Sequence, residues 1–237
     1  MNINGILIDY GGTLDTGGHH WYCVFAKQYA SAGITVDEAL LRAAYIHAER
    51  QLEQHSGLVK ATNTFKDVLQ EKIACQFDYL SQHCRDFRAG LSEQEQLIAV
   101  CDDFARQKVQ ESVQVLALLS GKYPLVLVSN FYGNIQTVIK EYGIADYFQT
   151  IIESARVGIR KPNPGIFRLG IQYLNIPAQE ILVIGDSFKN DIAPAQLLGC
   201  KTVWLKGRGW DTEEDSTDRK FADIIISNIE ELTKILI

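Results

Sequence analysis

Residues 6–15 have the sequence Ile6-Leu7-Ile8-Asp9-Tyr10-Gly11-Gly12-Thr13-Leu14-Asp15, in which a short apolar run leads directly to a carboxylate and a double glycine. Two later runs have the same form. Leu125-Val126-Leu127-Val128 is followed by Ser129, and Ile181-Leu182-Val183-Ile184 is followed by Gly185 and Asp186. Short apolar runs of this kind are typical of parallel strands that are buried on both faces. We therefore predict that the polar residues after them meet at one edge of a sheet.

The rest of the C-terminal half alternates between strand and helix patterns. Further strands are predicted at Thr150-Ile151-Ile152, Thr202-Val203-Trp204-Leu205 and Ile224-Ile225-Ile226, and helices at Asn134 to Tyr142 and Pro164 to Leu174. Such alternation predicts an α/β fold with a Rossmann-like, doubly wound parallel sheet, in which ligands bind at the carboxyl ends of the strands.

The stretch between Asp15 and Lys108 has a different pattern, with several amphipathic helices and no convincing strand. One helix is predicted to begin at Ser92, because Glu95 follows at the spacing of a capping box. We predict an inserted all-helical cap domain over residues 15–108 and a Rossmann-like core over residues 1–14 and 109–237. The most polar run, Asp211 to Lys220, is predicted to be a solvated loop.

The composition is that of an ordinary globular protein. The 237 residues are 46% hydrophobic and 22% charged, which excludes a disordered or collagen-like chain. A net charge of -6 argues against general binding to nucleic acid or to an anionic membrane. The five cysteines form no C-x-x-C pair, so we expect reduced thiols rather than a disulfide framework. No signal peptide or membrane span is recognised, and a cytoplasmic location is expected.

Four polar elements could carry chemistry, although each has an ordinary structural alternative. Asp9 could act as a nucleophile or metal ligand, or could simply cap a glycine-rich turn. Ser129-Asn130 could donate hydrogen bonds to an anion or cap a helix. Lys161, stiffened by neighbouring prolines, could neutralise a phosphate or only solubilise the surface. Asp186 and Asp191 could hold Mg²⁺, although Asp191 could instead cap a helix.

In this order and spacing, the four elements resemble the haloacid dehalogenase-like (HAD) hydrolase superfamily. The resemblance covers about residues 3–15 and 110–206, and it implies a Rossmann-like core with a helical cap of the C1 type. It also implies that Asp9 is the nucleophile and a metal ligand, while Ser129 and Lys161 hold the phosphoryl oxygens. The implied remaining ligands of Mg²⁺ are the backbone carbonyl of Gly11 and the side chains of Asp186 and Asp191. Gly12, Thr13 and Asn130 are expected to contribute to substrate binding.

The sequence departs from this family at Gly11. Most phosphatases of the family have a second aspartate there, which protonates the leaving group and then activates water. Glycine keeps the backbone carbonyl but cannot transfer a proton, a function typically worth about 10²–10⁴-fold in rate. The resemblance therefore implies a Mg²⁺-dependent phosphatase acting on a small phosphorylated metabolite through an aspartyl-phosphate, with weak or atypical activity.

Other hypotheses for the function of this chain remain open. The chain could be a phosphate-binding or regulatory protein that has lost turnover. It could be a phosphonatase-like enzyme that cleaves C–P bonds through a Schiff base, for which the available lysines of the cap are Lys27, Lys60, Lys66 and Lys72. C–halogen cleavage is less favoured, because dehalogenases of the superfamily usually carry Tyr at the position of Gly11 and dispense with metal. A cap histidine could also replace the missing acid; the candidates are His19, His20, His47, His55 and His83.

Overall fold

The computed structural model describes residues 2–55, 57–209 and 222–237. Its six strands are β1 (Gly5–Ile8), β2 (Leu125–Ser129), β3 (Thr150–Glu153), β4 (Ile181–Gly185), β5 (Lys201–Leu205) and β6 (Ile224–Ile226). They form one parallel sheet with the order β3-β2-β1-β4-β5-β6. The predicted α/β class, the parallel sheet and all six predicted strands are confirmed. The predicted loop from Asp211 to Lys220 lies outside the described residues.

Strand β1 lies at the topological switch point, since β2 and β4 pair with its two edges. Its side chains alternate between two hydrophobic layers, with Leu7 in one layer and Ile6 and Ile8 in the other. Crevices at the carboxyl ends of strands around such a point are the usual ligand sites of doubly wound sheets. Asp9, the first residue after β1, is placed at this crevice.

Four helices separate β1 from β2: α1 (Trp21–Ser31), α2 (Glu38–Gln54), α3 (Phe65–His83) and α4 (Leu91–Ser120). No strand occurs among the described residues between β1 and β2, in agreement with the predicted helical insertion. Helices α2 and α3 pack against each other, and α4 continues from the insertion into the core. The predicted domain boundary at residues 108 and 109 falls inside α4, so the boundary remains a prediction.

The start of α4 differs from the sequence-based expectation. The helix begins at Leu91 with Gly90 as its N-cap, and the Glu93 side chain accepts a hydrogen bond of 2.8 Å from the Gly90 backbone N–H. The predicted capping box of Ser92 and Glu95 was therefore wrong. Glycine is also accepted at the N-cap of a helix, and Glu93, two residues before Glu95, provides the reciprocal contact.

The core helices complete the two layers. Among the described residues they are α5 (Ile135–Glu141), α6 (Ser154–Val157), α7 (Gly165–Leu174), α8 (Ala193–Leu197) and α9 (Glu231–Leu236), with a π-helical turn at Phe188–Ile192. Helix α7 lies against β1 at Gly170, where an added Cβ would lie 2.8 Å from the Leu7 side chain.

Within the described ranges, no helix has both the length and the apolar character needed to cross a bilayer.

Candidate active site

Three neighbouring strands deliver the predicted chemical groups to one edge of the sheet. Asp9 follows β1, Ser129 ends β2, and Asp186 follows β4. The backbone N–H of Asp9 donates to the carbonyl of Ile184 at 2.9 Å, so the parallel pairing extends as far as the carboxylate residue. The parallel register thereby brings Ser129 and Asp186 close to Asp9, although they follow it by about 120 and 180 residues in the sequence.

Lys161 is buried among carboxylates, with 4% of its surface exposed. Its Nζ lies 2.5 Å from Asp9 Oδ1 and 2.7 Å from Asp191 Oδ1. The side chain of Asn130 holds the lysine's backbone: its Oδ1 accepts from the Lys161 N–H at 2.9 Å, and its Nδ2 donates to the Lys161 carbonyl at 3.1 Å. Asn130 therefore positions Lys161, whereas its predicted contact with substrate remains a prediction.

Asp9, Asp186 and Asp191 form a group of carboxylates that could hold a metal ion. One oxygen from each lies within 4.8 Å of the others. The π-helical turn directs Asp191 back toward the strand ends, where its Oδ2 accepts from the Ser187 N–H at 3.1 Å. Gly185 permits this approach, because an added Cβ would lie 2.4 Å from the Asp191 Cβ. Clustered carboxylate oxygens are suitable ligands for a hard cation such as Mg²⁺.

The electrostatics of this cluster favour the arrival of additional positive charge. Burial raises the pKa of Asp9 to about 6, and Asp191 adds to this rise while Lys161 opposes it. Burial and the charges of Asp9 and Asp191 raise the pKa of Asp186 well above its ordinary value. Burial alone would lower the pKa of Lys161, but Asp191 and Asp9 raise it, so the ammonium stays charged. One ammonium group among three carboxylates leaves a local excess of negative charge that a divalent cation would balance.

The turn after β1 connects these acids. The Thr13 hydroxyl donates to Asp9 Oδ2 at 2.9 Å or to Asp186 Oδ1 at 3.1 Å. Gly12 has a φ of +93°, and an added Cβ would lie 2.4 Å from Asp186 Oδ2. Only glycine fits there without strain. At Gly11, in contrast, an added Cβ would meet no atom within 4 Å.

Asp15 is fully buried and ties the turn to the cap. Its Oδ1 accepts from the Gly12 N–H at 2.6 Å, and its Oδ2 accepts from the Trp21 indole N–H at 2.9 Å. Burial raises the pKa of this carboxyl to about 7, although the hydrogen bonds from Trp21 and Gly12 lower it. These contacts give Asp15 a structural role in the turn.

The Ser129 hydroxyl is buried and has no hydrogen-bond partner among the described residues. Buried hydroxyl groups are normally paired, and an unpaired one at a strand end is available to a ligand. The hydroxyl is therefore placed where it could donate to a phosphoryl oxygen. The contact between Ser129 and a phosphoryl oxygen remains a prediction.

A cavity of about 180 Å³ extends from these strand ends to the cap. The turn after β1 contributes Gly11, Gly12 and Asp15. Later segments of the core contribute Asn130, Phe131, Tyr132, Arg160, Asp186 and Asn190, and the helical insertion contributes His20, Trp21, Tyr45, Glu49, Phe65 and Lys72. Of the four lysines considered from the sequence, Lys72 lines this cavity. Lys72 forms an ion pair with Glu49, which also lines the cavity. The sequence did not predict Glu49 as a site residue, because one sequence does not show which face of a cap helix points inward.

The chain belongs to the haloacid dehalogenase-like hydrolase family, whose model matches residues 3–199. The resemblance inferred from the motifs is thereby confirmed, and the helices between β1 and β2 are consistent with a C1 cap.

Relatives within this family have different activities. The chain is 29% identical over 127 residues to 5-amino-6-(5-phospho-D-ribitylamino)uracil phosphatase YigB of Escherichia coli, covering 54% of this chain and 52% of that protein. It is 33% identical over 91 residues to glyceraldehyde 3-phosphate phosphatase of Pyrococcus furiosus, covering 38% of each. It is 28% identical over 142 residues to (S)-2-haloacid dehalogenase 2 of a Pseudomonas species, covering 59% and 60%. The chain thus spans about 60% or less of the length of these relatives.

Solved structures agree on the fold over nearly the whole chain. The magnesium-bound structure of YfnB from Bacillus subtilis superposes with a TM-score of 0.57 at 19% identity, covering 100% of this chain and 99% of that one. A dehalogenase structure superposes with a TM-score of 0.63 at 15% identity, covering 99% of this chain and 97% of that one. At these identities the likeness establishes the α/β core with its helical insertion.

Proposed function

We propose that this chain is a Mg²⁺-dependent phosphatase that acts on a small phosphorylated metabolite. The observation that carries the proposal is the placement of Lys161 between Asp9 and Asp191, with Asp186 completing a carboxylate group at the mouth of a cavity. The named phosphatases among the relatives and the magnesium bound by YfnB support the same assignment.

The metal would be held by Asp9, Asp186, Asp191 and the carbonyl of Gly11. When bound, Mg²⁺ neutralises the charge of the phosphoryl group. Lys161 supplies a fixed ammonium for a phosphoryl oxygen, and the buried hydroxyl of Ser129 donates to another. Positioning and charge neutralisation of this kind account for most of the catalysis in phosphoryl transfer.

Asp9 performs the covalent step in this proposal. One carboxylate oxygen forms a bond to phosphorus, while the bond from phosphorus to the ester oxygen breaks and the leaving group takes the electron pair. Water then attacks phosphorus, which releases inorganic phosphate and regenerates the Asp9 carboxylate. Because Gly11 has no proton to give, an alkoxide leaving group must be protonated from water, and we expect slow turnover of alkyl esters.

The C–P cleavage alternative requires an uncharged lysine amine in the cap, and the surroundings of Lys72 do not favour one. Burial alone would lower the pKa of Lys72, but the Glu49 carboxylate raises it. Glu49 Oε1 lies 2.6 Å from the ammonium. Borohydride trapping with phosphonoacetaldehyde tests this alternative directly, and halide release from 2-chloropropionate tests C–halogen cleavage.

The decisive experiment compares the parent protein with Asp9→Asn, using p-nitrophenyl phosphate with and without Mg²⁺. We expect Mg²⁺-dependent hydrolysis by the parent and a loss of at least about 10³-fold in the variant, because the nucleophile is removed. Asp103→Asn is the matched control, since Asp103 is exposed on α4. Equal activity in Asp9→Asn and the parent would remove Asp9 from the mechanism. Binding of phosphate by a parent that shows no turnover would favour the regulatory alternative.

A further inference from the structure

The part of the cavity formed by the cap contains a buried ion pair that the proposed chemistry does not use. Lys72 on α3 is 7% exposed, and its Nζ lies 2.6 Å from Glu49 Oε1 on α2. The Tyr132 hydroxyl donates to Glu49 Oε2 at 2.5 Å, and the Lys72 ammonium lies 5.2 Å from the centre of the Tyr132 ring. Burying two charges is costly, and apolar side chains of similar size often stabilise a protein equally well. The position of this pair beside a cavity therefore points to a role in binding.

A second pair neutralises the other cation on this cavity. Arg160 lines the cavity and pairs with Glu53, which lies one turn after Glu49 on α2. Among the described residues that line the cavity, both the lysine and the arginine are thus matched by a glutamate of the same helix. The remaining ionisable groups of the lining are the acidic side chains of Asp15 and Asp186 and the imidazole of His20. His20 Nδ1 accepts a hydrogen bond from the Tyr22 backbone N–H at 3.1 Å, so this nitrogen carries no proton and the imidazole is uncharged. Among the described lining residues, every lysine and arginine is therefore already paired, and none is left to bind a second negative group on a ligand.

This charge balance restricts the chemical class of the ligand. A carboxylate or second phosphate entering the cavity would lose its hydration without gaining an unpaired cation, and it would lie near acidic side chains. Hydroxyl groups both donate and accept hydrogen bonds, so they can bind the Lys72 ammonium and the Glu49 carboxylate together. The volume of about 180 Å³ is below the usual range for ligand pockets and suits a molecule of few carbons.

We infer that the Glu49–Lys72 pair is a specificity element that selects phosphate monoesters of small, uncharged polyols or sugars and discriminates against esters that carry a second negative charge. This inference rests on the proposed phosphatase function. Lys161 and the metal would bind the phosphoryl group, while Glu49 and Lys72 would bind the hydroxyl groups of the alcohol. In this arrangement Glu49 suppresses binding of a carboxylate by keeping Lys72 paired.

The test measures kcat/KM for glycerol 3-phosphate and for phosphoglycolate with Mg²⁺, and compares their ratio between variants. We expect the parent to favour glycerol 3-phosphate. Glu49→Gln frees the Lys72 ammonium and should shift the ratio toward phosphoglycolate by about ten- to a hundredfold, the range that a hydrogen bond to a charged group supplies. Adding Lys72→Met to Glu49→Gln should abolish that shift. Glu38→Gln is the matched control, because it breaks an ion pair with Arg42 on α2 away from this cavity.

Several outcomes would overturn the inference. They are a parent that favours phosphoglycolate, a Glu49→Gln variant whose ratio stays within about twofold of the parent's, and a shift that survives the loss of Lys72. If Glu49→Gln does not fold, Glu53→Gln replaces it, since the Glu53–Arg160 pair is partly exposed and the freed Arg160 should produce a shift in the same direction. If neither the parent nor any of these variants hydrolyses glycerol 3-phosphate, phosphoglycolate or p-nitrophenyl phosphate, the proposed function is wrong. Calorimetric binding of the two esters to the same proteins then tests the selectivity alone.

Discussion

Replacing Gly11 with aspartate tests whether proton transfer is the function that this active site lacks. The substitution places a carboxylate where most phosphatases of the family carry their second aspartate. An added Cβ at Gly11 meets no atom within 4 Å, and the backbone there is outside the left-handed region that favours glycine. We therefore expect Gly11→Asp to fold without strain and to direct its carboxyl group into the cavity that Gly11 lines.

The expected magnitude depends on the leaving group. General acid catalysis typically contributes about 10²–10⁴-fold when the leaving oxygen needs a proton. The neighbouring carboxylates of Asp9 and Asp186 disfavour a further negative charge, so the new carboxyl group should stay partly protonated near neutral pH. For glycerol 3-phosphate we expect kcat to rise by about 10²-fold or more. For p-nitrophenyl phosphate, whose leaving group departs without a proton, the first chemical step should change little.

Steady-state kinetics on both esters with Mg²⁺ measures this difference. Gly11→Asn is the matched control, because its side chain has the same size but no acidic proton. An equal gain in Gly11→Asn would show that proton transfer is not the cause. An equal gain on both esters in a pre-steady-state measurement of the first step would show the same. A fall in activity of Gly11→Asp on both esters would show that the open space at Gly11 is needed for substrate.

Two further predictions concern stability in metal-free protein. Lys161→Met should lower the free energy of unfolding by about 3–5 kcal/mol, because it leaves the buried carboxylates of Asp9 and Asp191 unpaired. Urea unfolding measures this change, and Mg²⁺ should raise the free energy of unfolding more in the variant than in the parent. A variant with the same unfolding midpoint as the parent would contradict the prediction. Asp15→Asn should become more stable relative to the parent as pH rises. The pKa of Asp15 is raised from 3.8 to about 7 in the folded state, so the folded parent binds more protons than the unfolded chain and loses stability as pH rises toward 7. The difference in free energy of unfolding between Asp15→Asn and the parent should change by about 3 kcal/mol between about pH 5 and pH 8. Urea unfolding in EDTA measures this difference, and a value that does not vary with pH would contradict the prediction.

The fold was largely predictable because its signals are local. Each apolar run, such as Ile181-Leu182-Val183-Ile184, is too short for a helix and has no polar face, so it predicts a buried strand wherever it lies. The polar residues that follow these runs had to meet once the strands were parallel. Asp9, Ser129 and Asp186 were therefore found before their distances were known.

Predictions that depended on which of several nearby residues makes a contact were less secure. Glu93 provides the capping contact at the start of α4 instead of Glu95, because both glutamates suit the pattern and backbone geometry decides between them. Asn130 was expected to bind substrate, yet both of its amide atoms bind the backbone of Lys161. A sequence lists the hydrogen-bonding groups of a side chain but does not show which partner occupies them.

Residue type and spacing along the chain were sufficient to predict the succession of strands and helices, the residues that could carry chemistry and the absence of an acid at Gly11. Which of these groups are neighbours in space became known only from the folded chain. It buried Lys161 between two aspartates, and it turned Glu49 and Glu53 toward the two cations of the cavity. Pairing of charges depends on distance in space, and helices that are amphipathic in sequence can be rotated and packed in many ways until the core fixes one of them.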